Sequence, residues 1–228
     1  FTPYIFTMEQ MSAIFNAADS CRLYDIRMGT ALFSIPSILR LLYSTGMRVS
    51  EALSIRNMDM HLDEHFIHLR KTKNGSERIV PVSDSLDNVL RQYVDYRNRM
   101  PVKGLSSGDK PLFVKTDGTM LRQGVVYQNF RKILDMCGIP HFGNHNGPRV
   151  HDLRHTYAVH TLVQMGHSGM DLYTALPILS TALGHHSLTA TEQYVRLTCS
   201  MYPELEEKCS EINAFVYPTI CPAYDYND

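Results

Sequence analysis

The sequence predicts a mainly α-helical fold that carries a small three-stranded antiparallel β-sheet, an α+β architecture. Apolar residues recur at helical spacing through most of the 228 residues, and glycine or proline separates one helical segment from the next. Residues 56–82 differ, because short β-rich runs alternate there with polar turns. The sequence has neither an internal repeat nor a clear linker, and we therefore interpret residues 1–228 as a single domain.

Helical periodicity and end signals predict helices over residues 7–20, 30–45, 84–99, 124–137, 151–165, about 174–183 and 203–215. Thr7 and Gln10 have the spacing of a capping box at the first helix. Pro36 predicts a kink in the second helix, and Ser50 is a candidate N-cap for a short helix that restarts after it. Pro177 is expected near the start of its helix, where proline is tolerated.

Three short strands are predicted at Asn57–His61, Phe66–Arg70 and Arg78–Val82. Polar turns separate them, and the second turn contains an Asn-Gly pair, which is a strong hairpin signal. These runs predict one small antiparallel sheet. Its second hairpin carries two lysines, Lys71 and Lys73.

The charge of the chain is unevenly distributed, although its sum is only −1. Residues 200–228 hold six acidic side chains and one lysine, a net of −5, which leaves +4 for residues 1–199. A mildly basic body with an acidic end does not by itself indicate a nucleic-acid partner. The five cysteines are scattered and include no CxxC pair, so they predict neither a disulfide framework nor a zinc site. No apolar run is long enough to predict a membrane span, and a reducing cytoplasm is the expected compartment.

A group of polar side chains opens the predicted helix at residues 151–165. His151, Arg154 and His155 are three and four residues apart, so they share one face of a helix that is otherwise largely apolar. A helix that is apolar nearly all round is buried, which would place its polar end at the floor of a cleft. His185 and Tyr194 follow later in the sequence. An arginine, imidazoles and a phenol together are suited to handling a phosphate.

A metal site is the alternative for this group, because His151 and His155 have the i, i+4 spacing of paired imidazole ligands. The glutamate of an HExxH motif is missing, since Asp152 follows the first histidine, and no cluster of carboxylates is present. We therefore disfavour a metal. The remaining histidines here, His155 with His160 and His186, are expected to be packed or hydrogen-bonded and not catalytic.

Binding both non-bridging oxygens of a phosphodiester requires a second arginine, because one guanidinium covers only part of a trigonal-bipyramidal phosphorane. Arg48 is the best candidate in this sequence. It follows a glycine that ends an apolar helix, and Glu51, three residues later, is placed to orient it. The alternative is an ordinary exposed arginine at a helix start.

Four stretches, in order and spacing, resemble the tyrosine recombinases, the phage integrase family. They are TGMRVSEAL at 45–53, KNGSERIVPV at 73–82, HDLRH at 151–155 and LGHHSLTATEQY at 183–194. Each stretch is a weak signal alone, but the ensemble is specific and extends over about residues 30–197. The resemblance implies a tyrosine recombinase catalytic-domain fold and the following site residues: Tyr194 as nucleophile, Arg48 and Arg154 as the phosphate clamp, Lys73 as general acid, His151 as general base, His185 as a hydrogen-bond donor to a phosphate oxygen, and Glu51 as the acidic helper.

The implied reaction cleaves and rejoins double-stranded DNA through a covalent 3′-phosphotyrosine and leaves a free 5′-hydroxyl. Tyr194 attacks the scissile phosphate, while guanidinium charge favours its phenolate and His151 accepts its proton. Lys73 protonates the departing 5′-oxygen; Lys71 competes for this role, but the family pattern places the lysine just before the turn. No step requires a metal, ATP or another cofactor, because the phosphotyrosine retains the energy for religation.

The resemblance further implies a homotetramer on double-stranded DNA, accessory directionality proteins, and association with the nucleoid. Full recombinases carry an N-terminal core-binding domain that has no counterpart here, so residues 1–228 are expected to be a catalytic domain that binds DNA weakly alone. The acidic helix at 203–215, within the C-terminal segment 201–228, is expected to dock on a neighbouring protomer. Packing on its own domain is the alternative.

Four functions remain in competition. The favoured one is the integrase of a mobile element such as a conjugative transposon or prophage, with a Xer-like chromosome-resolving recombinase as the alternative within the class. A type IB topoisomerase would use the same chemistry as a monomer. An inactive DNA-binding module is disfavoured, because a binding protein has no need of Tyr194.

Overall fold

The computed structural model describes residues 3–24, 30–70, 75, 77–140, 147–185 and 187–205. These residues divide into two compact units. The first unit lies within residues 1–158 and 182–184, and the second lies within residues 159–181 and 185–228. None of the helices in the described ranges combines the length and apolar character that a membrane crossing requires.

The predicted fold, mainly helical with a three-stranded antiparallel sheet, is confirmed. Strands β1 (Met60–His61), β2 (Phe66–Leu69) and β3 (Arg78–Pro81) belong to the first unit and lie in the order β1-β2-β3. Ile67 on β2 pairs with Val80 on β3, and both side chains are buried. One face of the sheet therefore contributes to the core of the first unit.

The first strand is shorter than predicted, because Asn57–Asp59 form a 3₁₀ turn. The Asp59 carboxylate accepts the backbone N–H of Arg56 at 2.9 Å, and the Asp59 N–H donates back to the Arg56 carbonyl at 3.0 Å. This reciprocal capping closes a turn and removes these residues from the sheet.

Helix α1 (Met8–Tyr24) begins as its capping signal predicts. The Thr7 N–H donates to Gln10 Oε1 at 3.0 Å, and the Gln10 N–H donates to Thr7 Oγ1 at 3.2 Å. Each side chain thus satisfies a backbone donor that the first helical turn leaves unpaired.

Helix α2 (Ile35–Thr45) is the most buried helix of the first unit, and α1 packs against it. The predicted kink at Pro36 is wrong. The helix begins at residue 35, so the proline occupies the first turn, where its missing N–H costs nothing. Gly46 ends the helix in the left-handed region, with φ of 61°, and donates to the Leu42 carbonyl.

Helix α3 (Val49–Ser54) follows at once, but the prediction of Ser50 as its N-cap is wrong. Arg48 occupies the N-cap position, and the Glu51 carboxylate accepts its backbone N–H at 3.0 Å. The carboxylate supplies the capping oxygen from inside the helix, so no serine is needed at its start.

Helices α4 (Asp84–Asn98) and α5 (Gln123–Met136) complete the helical layer of the first unit up to residue 140. Ser83 caps α4, and its Oγ accepts the Leu86 N–H at 3.4 Å. Helix α5 contacts both α1 and α3, which places it beside the turn that carries Arg48.

Helices α6 (Asp152–His167), α7 (Leu172–Leu183) and α8 (Thr189–Met201) follow residue 147, and residues 203–205, at the end of the described range, are helical as well. Pro177 lies inside α7 and not near its start as predicted, because the helix begins earlier than expected. Asp171 explains this earlier start, since its carboxylate accepts two backbone N–H groups of the first turn at 3.0 Å.

The predicted helix at residues 203–215 lies outside the described residues beyond Leu205. The Leu205 side chain is buried within the second unit. A Cβ added to Gly166 would lie 3.1 Å from its Cδ2 atom, so the leucine packs directly over that glycine. The chain up to this residue therefore packs on its own unit, and docking of the remainder on a neighbouring protomer stays a prediction.

Candidate active site

Glu51 joins two arginines in the first unit. Its side chain is 1% exposed, and its carboxylate accepts Arg48 Nη1 at 2.8 Å and Arg78 Nη2 at 2.9 Å. The same carboxylate caps α3 through the backbone N–H of Arg48. Pairing with both guanidinium groups offsets the cost of burying the carboxylate, which would be large for an isolated charge.

Arg78 extends this pairing from β3 to the end of α7. Its Nη1 atom donates to the Ala182 carbonyl at 3.1 Å. Gly184 lies against the same guanidinium with φ of 65°, and a Cβ on this glycine would overlap Arg78 Nη1. Burial lowers the pKa of Arg78, and the charge of Glu51 opposes that shift. The side chain nevertheless remains a cation at neutral pH.

Arg154 lies buried in the first turn of α6 and is held by two backbone carbonyls. Its Nη1 atom donates to the Gly46 carbonyl at 2.7 Å, and its Nη2 atom donates to the Leu183 carbonyl at 2.8 Å. Gly46 precedes Arg48 by two residues. The guanidinium of Arg154 is therefore bonded, within the first unit, to the backbone that leads into Arg48, the other arginine of the predicted clamp.

We call Arg48, Arg78, Arg154 and Glu51 the arginine cluster. Four different segments supply it, namely the turn before α3, strand β3, helix α6 and helix α3 itself. Three of its side chains are cations and one is an anion, so the cluster carries a surplus of positive charge. Such a surplus, held by fixed hydrogen bonds, is the arrangement that stabilises an oxyanion or a phosphate group.

His151 and His155 lie beside one another, with ring centroids 4.9 Å apart and ring planes at 89°. His151 is exposed, whereas His155 is buried. Asp152 between them is buried and accepts the Arg149 N–H at 2.7 Å. Burial raises the pKa of Asp152, and its bonds with Arg149 counteract this. In the part of the chain that the structure describes, no three His, Cys, Asp or Glu side chains are grouped closely enough to hold a metal ion.

Tyr194 and His185 belong to the second unit. Tyr194 lies on α8 with 1% of its surface exposed, and its ring is stacked on that of His185 with centroids 6.4 Å apart and planes at 12°. Thr191, one turn before the tyrosine, places its Oγ1 atom 2.8 Å from His185 Nδ1. Tyr194, the predicted nucleophile, and His185, the predicted hydrogen-bond donor to a phosphate oxygen, thus belong to one group of neighbouring side chains.

The structure therefore groups the predicted residues within each unit. The first unit brings Arg48, Glu51 and Arg154 together, with His151 in the turn that precedes α6. The second unit brings His185 and Tyr194 together. Lys73, its competitor Lys71, and His186 lie outside the described residues, and their roles stay predictions.

Sequence reasoning missed two residues of this geometry, Arg78 and Thr191. A signal for the first was present, because Arg78 alternates with Ile79 and shares the face of Val80, which is the buried face of β3. A charged residue on a buried strand face implies a charged partner. For Thr191 the signal was its position three residues before Tyr194, on the same side of a helix.

The architecture is that of the tyrosine recombinase catalytic domain. A crystal structure of XerA recombinase matches 95% of this chain and 65% of its own, with a TM-score of 0.64 and 22% identity. A lambda integrase tetramer bound to a Holliday junction matches 85% of this chain and 48% of its own, with a TM-score of 0.60 and 18% identity. The sequence pattern of the phage integrase family matches residues 5–200, and the chain belongs to that family.

Named relatives agree with this assignment. A Sinorhizobium fredii protein described as an integrase/recombinase is 30% identical over 193 residues, which cover 85% of this chain and 61% of that protein. Tyrosine recombinase XerC of Thermodesulfovibrio yellowstonii is 33% identical over 173 residues, which cover 75% of this chain and 53% of that protein. The chain thus spans between half and two thirds of the length of these two relatives.

Proposed function

We propose that this chain is the catalytic domain of a site-specific DNA recombinase, which cleaves and rejoins double-stranded DNA through a covalent 3′-phosphotyrosine. The observation that carries the proposal is the bond from Arg154 Nη1 to the Gly46 carbonyl at 2.7 Å. This bond fixes the guanidinium of Arg154 on the backbone two residues before Arg48, although the two arginines lie more than a hundred residues apart in the sequence. Arg48, paired with the buried Glu51, and Arg154 together support a site for a phosphodiester, whose two non-bridging oxygens share the negative charge.

Tyr194 is the proposed nucleophile, and its phenolic oxygen forms a bond to the scissile phosphorus while the bond to the 5′-oxygen breaks. Arg48 and Arg154 bind the non-bridging oxygens and stabilise the charge that accumulates on them in the transition state. Glu51 keeps Arg48 in place through the 2.8 Å ion pair. The phosphotyrosine conserves the energy of the broken bond, so rejoining needs neither ATP nor a metal.

Two proton transfers and one hydrogen bond to the phosphate are assigned to three further side chains. His151 accepts the phenolic proton, and its exposure at the start of α6 leaves its ring accessible to a substrate. Lys73 protonates the departing 5′-oxygen. His185 donates a hydrogen bond to a phosphate oxygen, a role that its ring contact with Tyr194 supports.

We further propose that the full-length protein acts as a homotetramer on double-stranded DNA, by analogy with the lambda integrase tetramer bound to a Holliday junction. Residues 1–228 would be a single catalytic domain within that assembly, and accessory proteins would set its direction. The finer assignment is the integrase of a mobile element, with the Sinorhizobium relative in support. A Xer-like role, which the XerC relative supports, is the second candidate.

The test is covalent capture on a nicked duplex from which the cleaved end diffuses away. Wild-type protein should form a protease-sensitive protein–DNA adduct, in EDTA as well as without it, and Tyr194→Phe should form none. Tyr173→Phe is the matched control, because Tyr173 lies exposed on α7 of the same unit, and it should retain the adduct. An adduct with Tyr194→Phe, or loss under chelation alone, contradicts the mechanism. The duplex should carry the attachment site of the element that encodes the chain.

A further inference from the structure

Thr191 is a buried residue of the second unit and has no role in the proposed reaction as described above. It lies in the first turn of α8 with 0% of its surface exposed. Its Oγ1 atom lies 2.8 Å from Nδ1 of His185, which precedes the helix. This distance is that of a good hydrogen bond, but either atom can be its donor, depending on which ring nitrogen carries the proton.

The hydroxyl itself decides the direction of this bond. A buried O–H group that has an acceptor within reach donates to it, because an unsatisfied donor costs about 1–3 kcal/mol. Other helical threonines donate to the carbonyl four residues earlier, as Thr45 does to Leu41 at 2.6 Å and Thr181 does to Pro177 at 2.8 Å. Within the described ranges, the Thr191 hydroxyl has one hydrogen-bond partner, which is His185 Nδ1. Thr191 is therefore the donor and Nδ1 the acceptor.

We propose that Thr191 is a positioning residue that holds neutral His185 as the tautomer protonated on Nε2. Since Nδ1 accepts from the hydroxyl, the single ring proton has to reside on Nε2. This inference rests on the proposed function, in which His185 donates a hydrogen bond to a phosphate oxygen. Thr191 supplies what that role requires, an imidazole whose donor nitrogen, Nε2, is already selected before DNA binds.

The same bond also fixes the orientation of the ring. A histidine held at one nitrogen cannot rotate freely about its Cβ–Cγ bond, and the ring of His185 lies nearly parallel to that of Tyr194, at 12°. Thr191 and Tyr194 are separated by one helical turn, so they lie on the same side of α8. Movement of α8 therefore carries the nucleophile and the group that orients His185 together.

The first test needs no substrate. Two-bond ¹H–¹⁵N correlation spectra of the 228-residue chain report which nitrogen of a neutral imidazole carries the proton, and His185→Gln identifies the signals of this ring among those of the 11 histidines. In wild-type protein, His185 should carry its proton on Nε2 alone. Thr191→Ser keeps the hydroxyl and should keep this spectrum, whereas Thr191→Val should give a mixture of tautomers. A proton on Nδ1 in wild-type protein overturns the proposal.

Thr198→Val is the matched control, since it makes the same substitution at an equally buried threonine on the same helix. Thr198 is also 0% exposed, and in the described part of the chain its Oγ1 atom has no hydrogen-bond partner. This variant should leave the spectrum of His185 unchanged. If it alters the tautomer as Thr191→Val does, the effect comes from general repacking of α8 and the proposal fails.

Adduct formation on the nicked duplex supplies the second test. Thr191→Val should slow it by about tenfold, the equivalent of one hydrogen bond, while Thr191→Ser restores it to within about twofold of wild type. Equal rates in all three contradict the positioning role. If wild-type protein forms no adduct at all, the proposed function fails, and the tautomer spectra still decide independently whether Thr191 controls His185.

Discussion

The arginine cluster of the first unit and helix α8 of the second unit hold their side chains by contacts of different range. Arg154 bonds to a carbonyl 108 residues away in sequence, and Arg78 bonds to one 104 residues away. On α8, the Thr191 hydroxyl bonds to His185, only 6 residues away. Hydrogen bonds between residues far apart in sequence form only when the whole unit is folded. Hydrogen bonds between residues near in sequence can rearrange without unfolding of the unit.

This difference suggests a division of labour. Groups that bind charge in a transition state are most effective when they are fixed in advance, and the cluster is fixed by several bonds from separate elements. A nucleophile has the opposite requirement in a recombinase, because premature attack breaks DNA. We therefore expect activity to be controlled at α8, by the position of Tyr194, and not at the arginine cluster.

Removing Glu51 tests the first half of this comparison and has the largest expected effect. Glu51→Ala leaves the guanidinium groups of Arg48 and Arg78 without their shared carboxylate, and we expect a loss of about 3–5 kcal/mol in the free energy of unfolding, measured in urea. Glu64→Ala is the control, because Glu64 is 67% exposed and, among the residues that the structure describes, has an ion pair with His61 alone, at 3.6 Å. Its cost should stay within about 0.5 kcal/mol. Similar costs for both variants would mean that the cluster is not a rigid centre.

Gly184 tests whether Arg78 is held against the end of α7. Gly184→Ala and Gly138→Ala place a side chain at nearly the same backbone angles, φ of 65° and 67°, so each should lose about 1–2 kcal/mol of stability. A Cβ at Gly184 meets Arg78, whereas one at Gly138 meets no atom of the described ranges within 4 Å. Gly184→Ala should therefore cost about 2 kcal/mol more. Equal unfolding free energies would show that the guanidinium moves aside easily.

The same contrast explains what the sequence could predict. Local signals were sufficient for the capping of α1 by Thr7 and Gln10, for the end of α2 at Gly46, and for the three antiparallel strands. They failed for Pro36 and Pro177, because each depends on where a helix begins, and that was set by neighbouring residues such as Asp171. Boundaries are the least certain part of any pattern of apolar spacing.

The candidate site divides in the same way. Helical spacing singled out Arg154, and the need for a second guanidinium singled out Arg48 with Glu51 three residues later. The resemblance to a family then predicted their roles and that of Tyr194. Nothing local could predict that Arg154 bonds to the Gly46 and Leu183 carbonyls, since those partners are brought to it only by the folded first unit. A hydrogen bond to a backbone carbonyl does not require any particular residue type as its acceptor, because every residue has a carbonyl. The sequence therefore carries no signal for such a bond.

Amide hydrogen exchange tests the second half of the comparison. In DNA-free protein, amides of α8 should exchange at least about tenfold faster than those of α2, because most residues of α2 are buried, whereas fewer than half of those of α8 are. Both helices are measured in the same sample at one pH, and each observed rate is divided by the intrinsic rate for its local sequence before the two helices are compared. Equal protection of the two helices would contradict control by movement of α8.

Thr198 gives the smallest expected effect, and its sign is the informative part. Its hydroxyl is buried with no hydrogen-bond partner among the described residues, so Thr198→Val removes an unsatisfied group while it preserves the shape of the side chain. We expect a gain of about 1 kcal/mol in urea unfolding. Thr191→Val removes a hydroxyl that is bonded to His185 and should lose about the same amount. Opposite signs at two equally buried positions of one helix would demonstrate that the Thr191 hydroxyl contributes to the stability of α8 through its bond with His185. A loss at both positions would instead mean that Thr198 has a partner of its own and that α8 is held more firmly than its local contacts suggest.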